Sequence, residues 1–301
     1  GCSRLYQRIG WNEITFSRRR MRELFSYSSV TFVSTMADLL RNETNNLVIT
    51  LFRGAALVTP FSFPYQLLRY ADQILRAFIS PVGPIFSQEE GRGDFESIRD
   101  KFLITSRICN IMTVWIFSGV ALYGAPFIQR WIGELFPDTI AVLLWLTLAA
   151  FVTGLQLPSV HLLFAISRHK YYAGINVAEG VLNFAVSVAL VRHFGIVGVA
   201  IGTAIPAVLL KIFVQPWFTC RAIGLPVHRY ITSAAFTVLP LLLINVAFYV
   251  FARPYIQPDY LRIFVLATVQ SVVYLPLAML VGFSRRDRQY LASFLLRRMQ
   301  G

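Results

Sequence analysis

Residues 108–128, 231–252 and 263–283 each run close to 21 positions without an acidic or basic side chain. A helix rises 1.5 Å per residue, so about 20 apolar residues cross about 30 Å of hydrocarbon. Three such runs commit the chain to lipid unless charge elsewhere compensates. It does not: 56% of the 301 residues are hydrophobic and 14% are charged, against about 45–50% and about 25% in soluble domains. The expected fold class is all-α, a polytopic membrane helical bundle.

Hydropathy predicts about eight transmembrane helices, near 25–45, 46–68, 103–125, 139–162, 171–191, 195–218, 230–252 and 262–283. Short connections punctuated by Gly, Pro, Asn or Asp make successive spans antiparallel neighbours. The stretch LVRHFGIVGVAIGTAIP shows the pattern: Arg192-His193-Phe194-Gly195 reads as the turn of a hairpin between the fifth and sixth spans. Leu155–Pro158 and Pro206 place helix punctuation inside spans, where neighbouring helices or a cavity must satisfy the freed backbone groups.

The net charge of +13 comes from basic residues between spans. Membrane topology produces that distribution, so nucleic acid is not an expected partner. With the N-terminus in the cytoplasm, Lys and Arg divide 18 inside to 5 outside, which places both termini inside. The Asn42-Glu43-Thr44 sequon then falls at an outer turn. Residues 1–24 form a cytoplasmic basic segment, 25–218 a six-helix lobe, 219–283 two further spans, and 284–301 an amphipathic cytoplasmic tail. The chain opens on Gly1 with no cleavable signal pattern, and the expectation is a fragment that lacks an upstream region.

Chemistry-bearing motifs are few. Three cysteines and four histidines are scattered without metal or disulfide spacing, and no phosphate-binding loop or nucleophile–base pair appears. No metal, cofactor or enzymatic activity is expected.

Charged groups inside spans carry more information, because each costs roughly 2.5–3.5 kcal/mol on insertion scales and needs a partner or a watery cavity. Asp38 and Arg53 flank the predicted turn at Asn45–Asn46 and are expected at equal depth, as a packing salt bridge or as a cavity-facing Arg tuned by the acid. Arg69, Asp72 and Arg76 share one helical face and are expected at the cytoplasmic mouth. They would serve there as a surface ladder, an inner gate or a headgroup-phosphate site, on a helix bent by Pro60 and Pro64. Asn176, Glu179, Asn183 and Ser187 form a stripe facing the bundle or a lumen, with Glu179 the protonatable carboxylate and Lys211 its candidate partner. Trp131, Trp145 and Trp217 read as an interfacial belt.

Several segments resemble a known family. VLNFAVSVALVRHFGIVGVAIGTAIP (181–206) is similar to a hairpin of bacterial polysaccharide flippases, which carries a basic-aromatic-Gly turn before a small-residue helix. SRRRMRELFSYSSVTFVSTMADLL resembles the opening of their second helical lobe. LYGAPFIQRWIGELFPDTIAVLLWL and AFISPVGPIFSQEEGRGDFESIRDKF resemble an outer turn and an inner loop of the same proteins. The proline that often precedes the basic turn is absent. The resemblance, to the oligosaccharidyl-lipid or O-antigen type flippases of the multidrug/oligosaccharidyl-lipid/polysaccharide exporter superfamily, implies a C-terminal lobe plus two terminal helices. It further implies movement of a polyprenyl-diphosphate-linked oligosaccharide, a precursor of lipopolysaccharide or other polysaccharide, across a bacterial inner membrane. Membrane lipids, an H+ or Na+ gradient and a missing N-terminal lobe would be the partners. Arg53, Asp38, Glu179, Asn183, Asn176 and Lys211 are the substrate-cavity candidates, and Arg69, Asp72 and Arg76 the inner-gate candidates. Competing readings are an ion-coupled multidrug or cation antiporter, a membrane glycosyltransferase or ligase, and a non-transporting remnant.

Overall fold

A computed structural model describes residues 18–133 and 136–283; within α1 a number of side chains, Asp38 among them, also lie outside the description. Among the described residues the chain is helical, with no strand. The helices are α1 (Arg18–Arg53), α2 (Val58–Ile79), α3 (Val82–Gly91), α4 (Phe95–Ile132), α5 (Thr139–Leu155), α6 (Leu157–Ala165), α7 (His169–Leu209), α8 (Gln215–Ile223), α9 (Val227–Ala252) and α10 (Tyr260–Val281). A 3-10 turn at Ala55–Leu57 links α1 to α2, and a π-helical segment at Leu210–Val214 links α7 to α8.

Five stretches are long and apolar enough to cross a membrane: Phe95–Ile132, Thr139–Ala165, His169–Ile223, Val227–Tyr255 and Tyr260–Val281. The third crosses twice. At Gly195 the backbone takes φ 59°, ψ −140°, a conformation open to glycine and strained for side-chain-bearing residues. The chain reverses there. Asn183 Nδ2 then donates to Thr203 Oγ1 (3.1 Å) and Ser187 Oγ to Val199 O (3.4 Å), pairing the two arms antiparallel. The small residues of the second arm allow this approach. A Cβ added at Gly202 would stand 2.7 Å from Ser187 Cα, and one at Gly198 would stand 2.5 Å from Leu190 O. The basic-aromatic-glycine turn read from the sequence is therefore the hairpin it was expected to be.

Around this hairpin α1 packs against α7, α5 against α4 and α7, and α2 against α4 and α5. One apolar core joins them through Ile49, Phe61, Leu75, Phe117, Leu143 and Val199. α9 and α10 pack on each other and on α4, and present the rest of their surface outward, with Phe251 78% and Phe264 71% exposed. That is a lipid-facing pattern.

One end of the bundle gathers the turns near 54–57, 136–138, 192–195 and 253–259, and the other those near 80–94, 166–168 and 224–226. The second end is closed by Phe86, Ile98, Phe102, Leu162, Ile223 and Tyr230, and Arg99 Nη1 donates to Ile223 O at 3.2 Å. Its loop is built on Glu89, buried at 3% exposure, which accepts from Lys101 Nζ at 2.6 Å and Arg92 Nη1 at 3.3 Å. The hydrogen bond from Lys101, then that from Ser97, holds the Glu89 carboxyl below the usual carboxylate range. Asp94 caps α4 by accepting from Ser97 N at 2.9 Å.

Several boundaries are corrected. The predicted break at Asn45–Asn46 does not exist: α1 runs unbroken to Arg53, and the chain turns at Gly54, where φ is 92°. Asn42, Glu43, Asn45 and Asn46 mimic a turn in composition but lie within the helix, and the sequon lies there too rather than at a turn. Asp38 and Arg53 are fifteen positions apart on one helix, about 22 Å of axis at 1.5 Å per residue. The expected pair at equal depth is ruled out. The second helix continues through Pro64 to Ile79, so Arg69 and Asp72 lie within its body and Arg76 in its last turn. The inner punctuation at Leu155–Pro158 does mark a break, with Gln156 between α5 and α6. The amphipathic tail at 284–301 and nearly all of the basic segment at 1–24 lie outside the described residues.

Candidate functional site

Two polar systems stand out in this apolar bundle, one sealed and one open. The sealed one begins with the stripe on the first arm of α7. Steps of three, four and four put Asn176, Glu179, Asn183 and Ser187 on one face, and all four are buried. Lys211, brought opposite by the hairpin, is 2% exposed and places Nζ 3.1 Å from Glu179 Oε2. The same ammonium donates to Asn176 Oδ1 at 3.3 Å and sits 5.3 Å from the centre of the Tyr172 ring. Lys211 lies in the π-helical segment, a local widening frequent at functional positions. The sequence stripe and its basic partner are thus brought together.

Two further hydrogen-bonded clusters lie on either side of this centre. Outward, Ser187 Oγ donates to Asn183 Oδ1 (3.2 Å), and Thr203 Oγ1 accepts from Asn183 and from Asn45 Nδ2 of α1 (3.2 Å). Inward, Gln215 Nε2 donates to Gln156 O (3.3 Å), and Gln156 Oε1 accepts from Ser159 Oγ (3.0 Å) and the Tyr230 hydroxyl (3.5 Å). Sequence reasoning missed Asn45, Thr203, Gln156, Gln215 and Tyr230. Gln156 and Gln215 carried a signal, as lone amides in apolar runs; Asn45 was hidden by its turn-like neighbours.

The open system is on α2. Thr59, Ser62, Gln66, Arg69, Gln73 and Arg76 recur at alternating steps of three and four, one continuous stripe along the helix. Four of the six are exposed, and Ser62 and Gln66 are half-buried. The neighbouring exposed face carries Tyr70, Ile74 and Phe78 instead. Arg76 Nε donates to Asp72 Oδ2 at 2.6 Å, an i,i+4 pair. A second, shorter stripe of Glu43, Asn46, Thr50 and Arg53 runs along the end of α1, beside a shallow hollow of about 360 Å³ lined by Glu43, Asn46 and Thr50.

Arg53 ends this second stripe but is tethered. Its Nε donates to Val191 O (3.0 Å) and its Nη2 to Arg192 O (2.7 Å). These carbonyls end the first arm of α7, so the guanidinium caps a helix C-terminus. The residues expected to share one cavity are therefore divided: Glu179, Asn183, Asn176 and Lys211 lie inside the lobe, Arg53 closes a turn, and the Asp38 side chain is outside the description; the separate gate candidates Arg69, Asp72 and Arg76 lie on the lobe's face. Among the described residues no cluster of three or more His, Cys, Asp or Glu side chains forms a metal site.

Residues 3–141 match a family described as polysaccharide biosynthesis protein. A relative from Bacillus subtilis (strain 168), described as the uncharacterized membrane protein EpsK, is 24% identical over 222 residues. The match takes in 71% of this chain and 43% of that protein, so the chain spans less than half the length of its relative. No solved structure matches the chain. This multi-pass membrane chain is thus similar over residues 3–141 to polysaccharide biosynthesis proteins and, over 222 residues, to a bacterial membrane protein.

Proposed function

We propose that this chain supplies one lobe of a transporter that moves a polyprenyl-diphosphate-linked oligosaccharide across a bacterial inner membrane. The observation that carries this is the α2 stripe. A helix of 22 residues packed among membrane spans carries a line of hydroxyl, amide and guanidinium groups, exposed at Thr59, Arg69, Gln73 and Arg76 and half-buried at Ser62 and Gln66. Facing acyl chains, such a line is costly at every turn. Facing water between two lobes, it is a polar wall.

The chemistry fits the cargo. Arg69 and Arg76, seven residues and about 10 Å apart along the helix, offer charge-assisted hydrogen bonds to phosphate oxygens. Gln66, Gln73 and Ser62 offer neutral partners to sugar hydroxyls. The apolar tail of the carrier lipid stays in the bilayer beside the Tyr70, Ile74 and Phe78 face. A second lobe, in the same polypeptide or another, covers the stripe and rocks against this one to give alternating access. Arg92, Arg99, Lys101, Arg168, Lys170, Arg221 and Arg229 lie around the end of the 80–94, 166–168 and 224–226 turns, against Arg53, Arg130, Arg192, Arg253 and Arg262 around the other, and this bias supports a cytoplasmic reading of the first end.

An antiporter of cationic drugs would present carboxylates on this wall. Here the wall carries two arginines, and its acid, Asp72, is engaged by Arg76. The test is saccharide-lipid flipping by the full-length protein in proteoliposomes, comparing wild type with Arg69→Ala and Arg69→Lys. The proposal predicts a large loss for Ala, partial rescue by Lys and unchanged expression of both. Unchanged flipping by Arg69→Ala would remove the basis for it.

A further inference from the structure

At the more basic end of the bundle the start of α7 meets the end of α8, and aromatic rings join them. Tyr171 stacks on Phe218 with ring centres 5.1 Å apart, and Trp217 meets Phe218 edge-on at 4.8 Å. The Arg221 guanidinium lies over the Trp217 ring, 5.3 Å from its centre. Arg168, the residue before α7, and Lys170, in its first turn, stand beside Tyr171 in the chain. One line of contacts therefore runs from the start of α7 to Arg221, two residues before α8 ends.

Arg168, Lys170 and Arg221 are exposed, and no carboxylate pairs with any of them among the described residues. Stacking on Trp217 covers one face of the Arg221 guanidinium and leaves its N–H edge open. That edge is the part of the group that matches two phosphate oxygens at once.

The surface changes toward the middle of the bundle. Leu209, Phe213 and Trp217 precede Arg221 at steps of four, so they occupy successive turns, and they are 50%, 65% and 45% exposed. Over twelve residues, about 18 Å of helix, the surface passes from aliphatic to aromatic to cationic. A phospholipid has the same order, from acyl chain through the glycerol level to the phosphate. Trp217, six residues and about 9 Å from the end of α8, falls at the glycerol level, where tryptophan is favoured.

We propose that this seam binds an anionic phospholipid of the leaflet at this end of the bundle. Arg221 and Lys170 hold its phosphate, Arg168 adds to the positive field, and Phe213 and Leu209 lie along an acyl chain. A ring layer alone would accept any lipid. Three cations without acidic partners select a headgroup of net negative charge, because a zwitterionic one brings its own ammonium into the same field. The site holds no residue of the α2 stripe and needs only that the chain spans a membrane, so it stands apart from the transport reading.

The test is quenching of Trp217 fluorescence by lipids brominated on their acyl chains, with the full chain in phosphatidylcholine vesicles. Brominated phosphatidylglycerol and brominated phosphatidylcholine are titrated separately, and each protein is compared with its Trp217→Phe counterpart to isolate the signal. In wild type the anionic lipid should quench Trp217 at a mole fraction more than tenfold lower than the zwitterionic one. Arg221→Gln and Lys170→Gln should each reduce that preference about fivefold, while Arg221→Lys keeps most of it. Arg130→Gln, which removes the guanidinium over Tyr260 at the opposite end, should change nothing. Unaltered quenching by brominated phosphatidylcholine in each variant shows that Trp217 keeps its depth and the seam its fold. Equal quenching by the two lipids in wild type overturns the inference, as does a preference that survives Arg221→Gln/Lys170→Gln. A loss in Arg130→Gln as large as in Arg221→Gln also overturns it, since the attraction would then belong to the field of the whole protein.

Discussion

The hairpin of α7 and the outer face of α2 hold the same kinds of residue and use them differently. Both carry amides, hydroxyls and opposite charges at helical spacing. In the hairpin the buried charges Glu179 and Lys211 face each other at 3.1 Å with almost no exposure. On α2 the arginines are exposed, and Arg76 holds its acid only as a surface neighbour. Residue type therefore says little about role here; what stands across from the helix says most. A polar stripe that meets another helix is an internal system, and one left largely exposed among the described residues is, on the proposed reading, a wall for water or cargo.

The sharpest way to break this contrast is to remove one buried partner. Lys211→Met removes the ammonium beside the buried Glu179 carboxylate, and the expected loss of stability is about 3–5 kcal/mol. The double variant Lys211→Met/Glu179→Gln should recover most of it. Thermal unfolding in detergent measures both, and a fully tolerated single variant would mean the pair is not sealed. Gly202→Ala comes next. Its Cβ would meet Ser187 backbone across the hairpin, and overpacking of this kind costs about 1–3 kcal/mol. The same readout applies, with Gly119→Ala as the control, since a Cβ there meets nothing within 4 Å.

On the open side the effect should be functional rather than structural. Arg69→Ala is expected to lower flipping about tenfold, equivalent to about 1.4 kcal/mol of binding in the transition state, with the melting temperature unmoved. Equal losses in both quantities would place Arg69 in the fold rather than on a wall.

The smallest effect concerns the inner loop, which belongs to neither system. The Glu89 carboxyl sits below its unfolded value, so its contribution is complete above the ordinary carboxylate range and is lost as pH falls through the lower folded value. Hydrogen exchange of residues 89–97 should rise on acidification in wild type and be independent of pH there in Glu89→Gln. A pH-independent wild type would show that Lys101 does not hold this loop.

Much of the sealed system was legible before the structure. The spacing of Asn176, Glu179, Asn183 and Ser187 set a face, and Arg192 to Gly195 set the turn that returns Lys211 to Glu179. Both rest on local periodicity and one glycine. The open system was misplaced because the polar residues 42–46 resemble a turn in composition while forming sides of one helix. Shifting that boundary moved Arg53 away from Asp38 and Arg69 into the body of its helix. The link from Asn45 to Thr203, 158 positions apart, depends on how α1 docks against α7, and no local pattern encodes that.

The central claim, that α2 turns a wet face and a greasy face outward side by side, is tested most directly at two adjacent positions. Both Gln73 and Ile74 are exposed, on the polar stripe and the apolar face respectively. In a variant lacking Cys2, Cys109 and Cys220, single cysteines at 73 and 74 can be challenged with a membrane-impermeant maleimide in native-like vesicles. Rapid labelling at 73 with protection at 74 is the predicted result. Equal protection of both would mean that the stripe faces lipid or protein, and the wall would not exist.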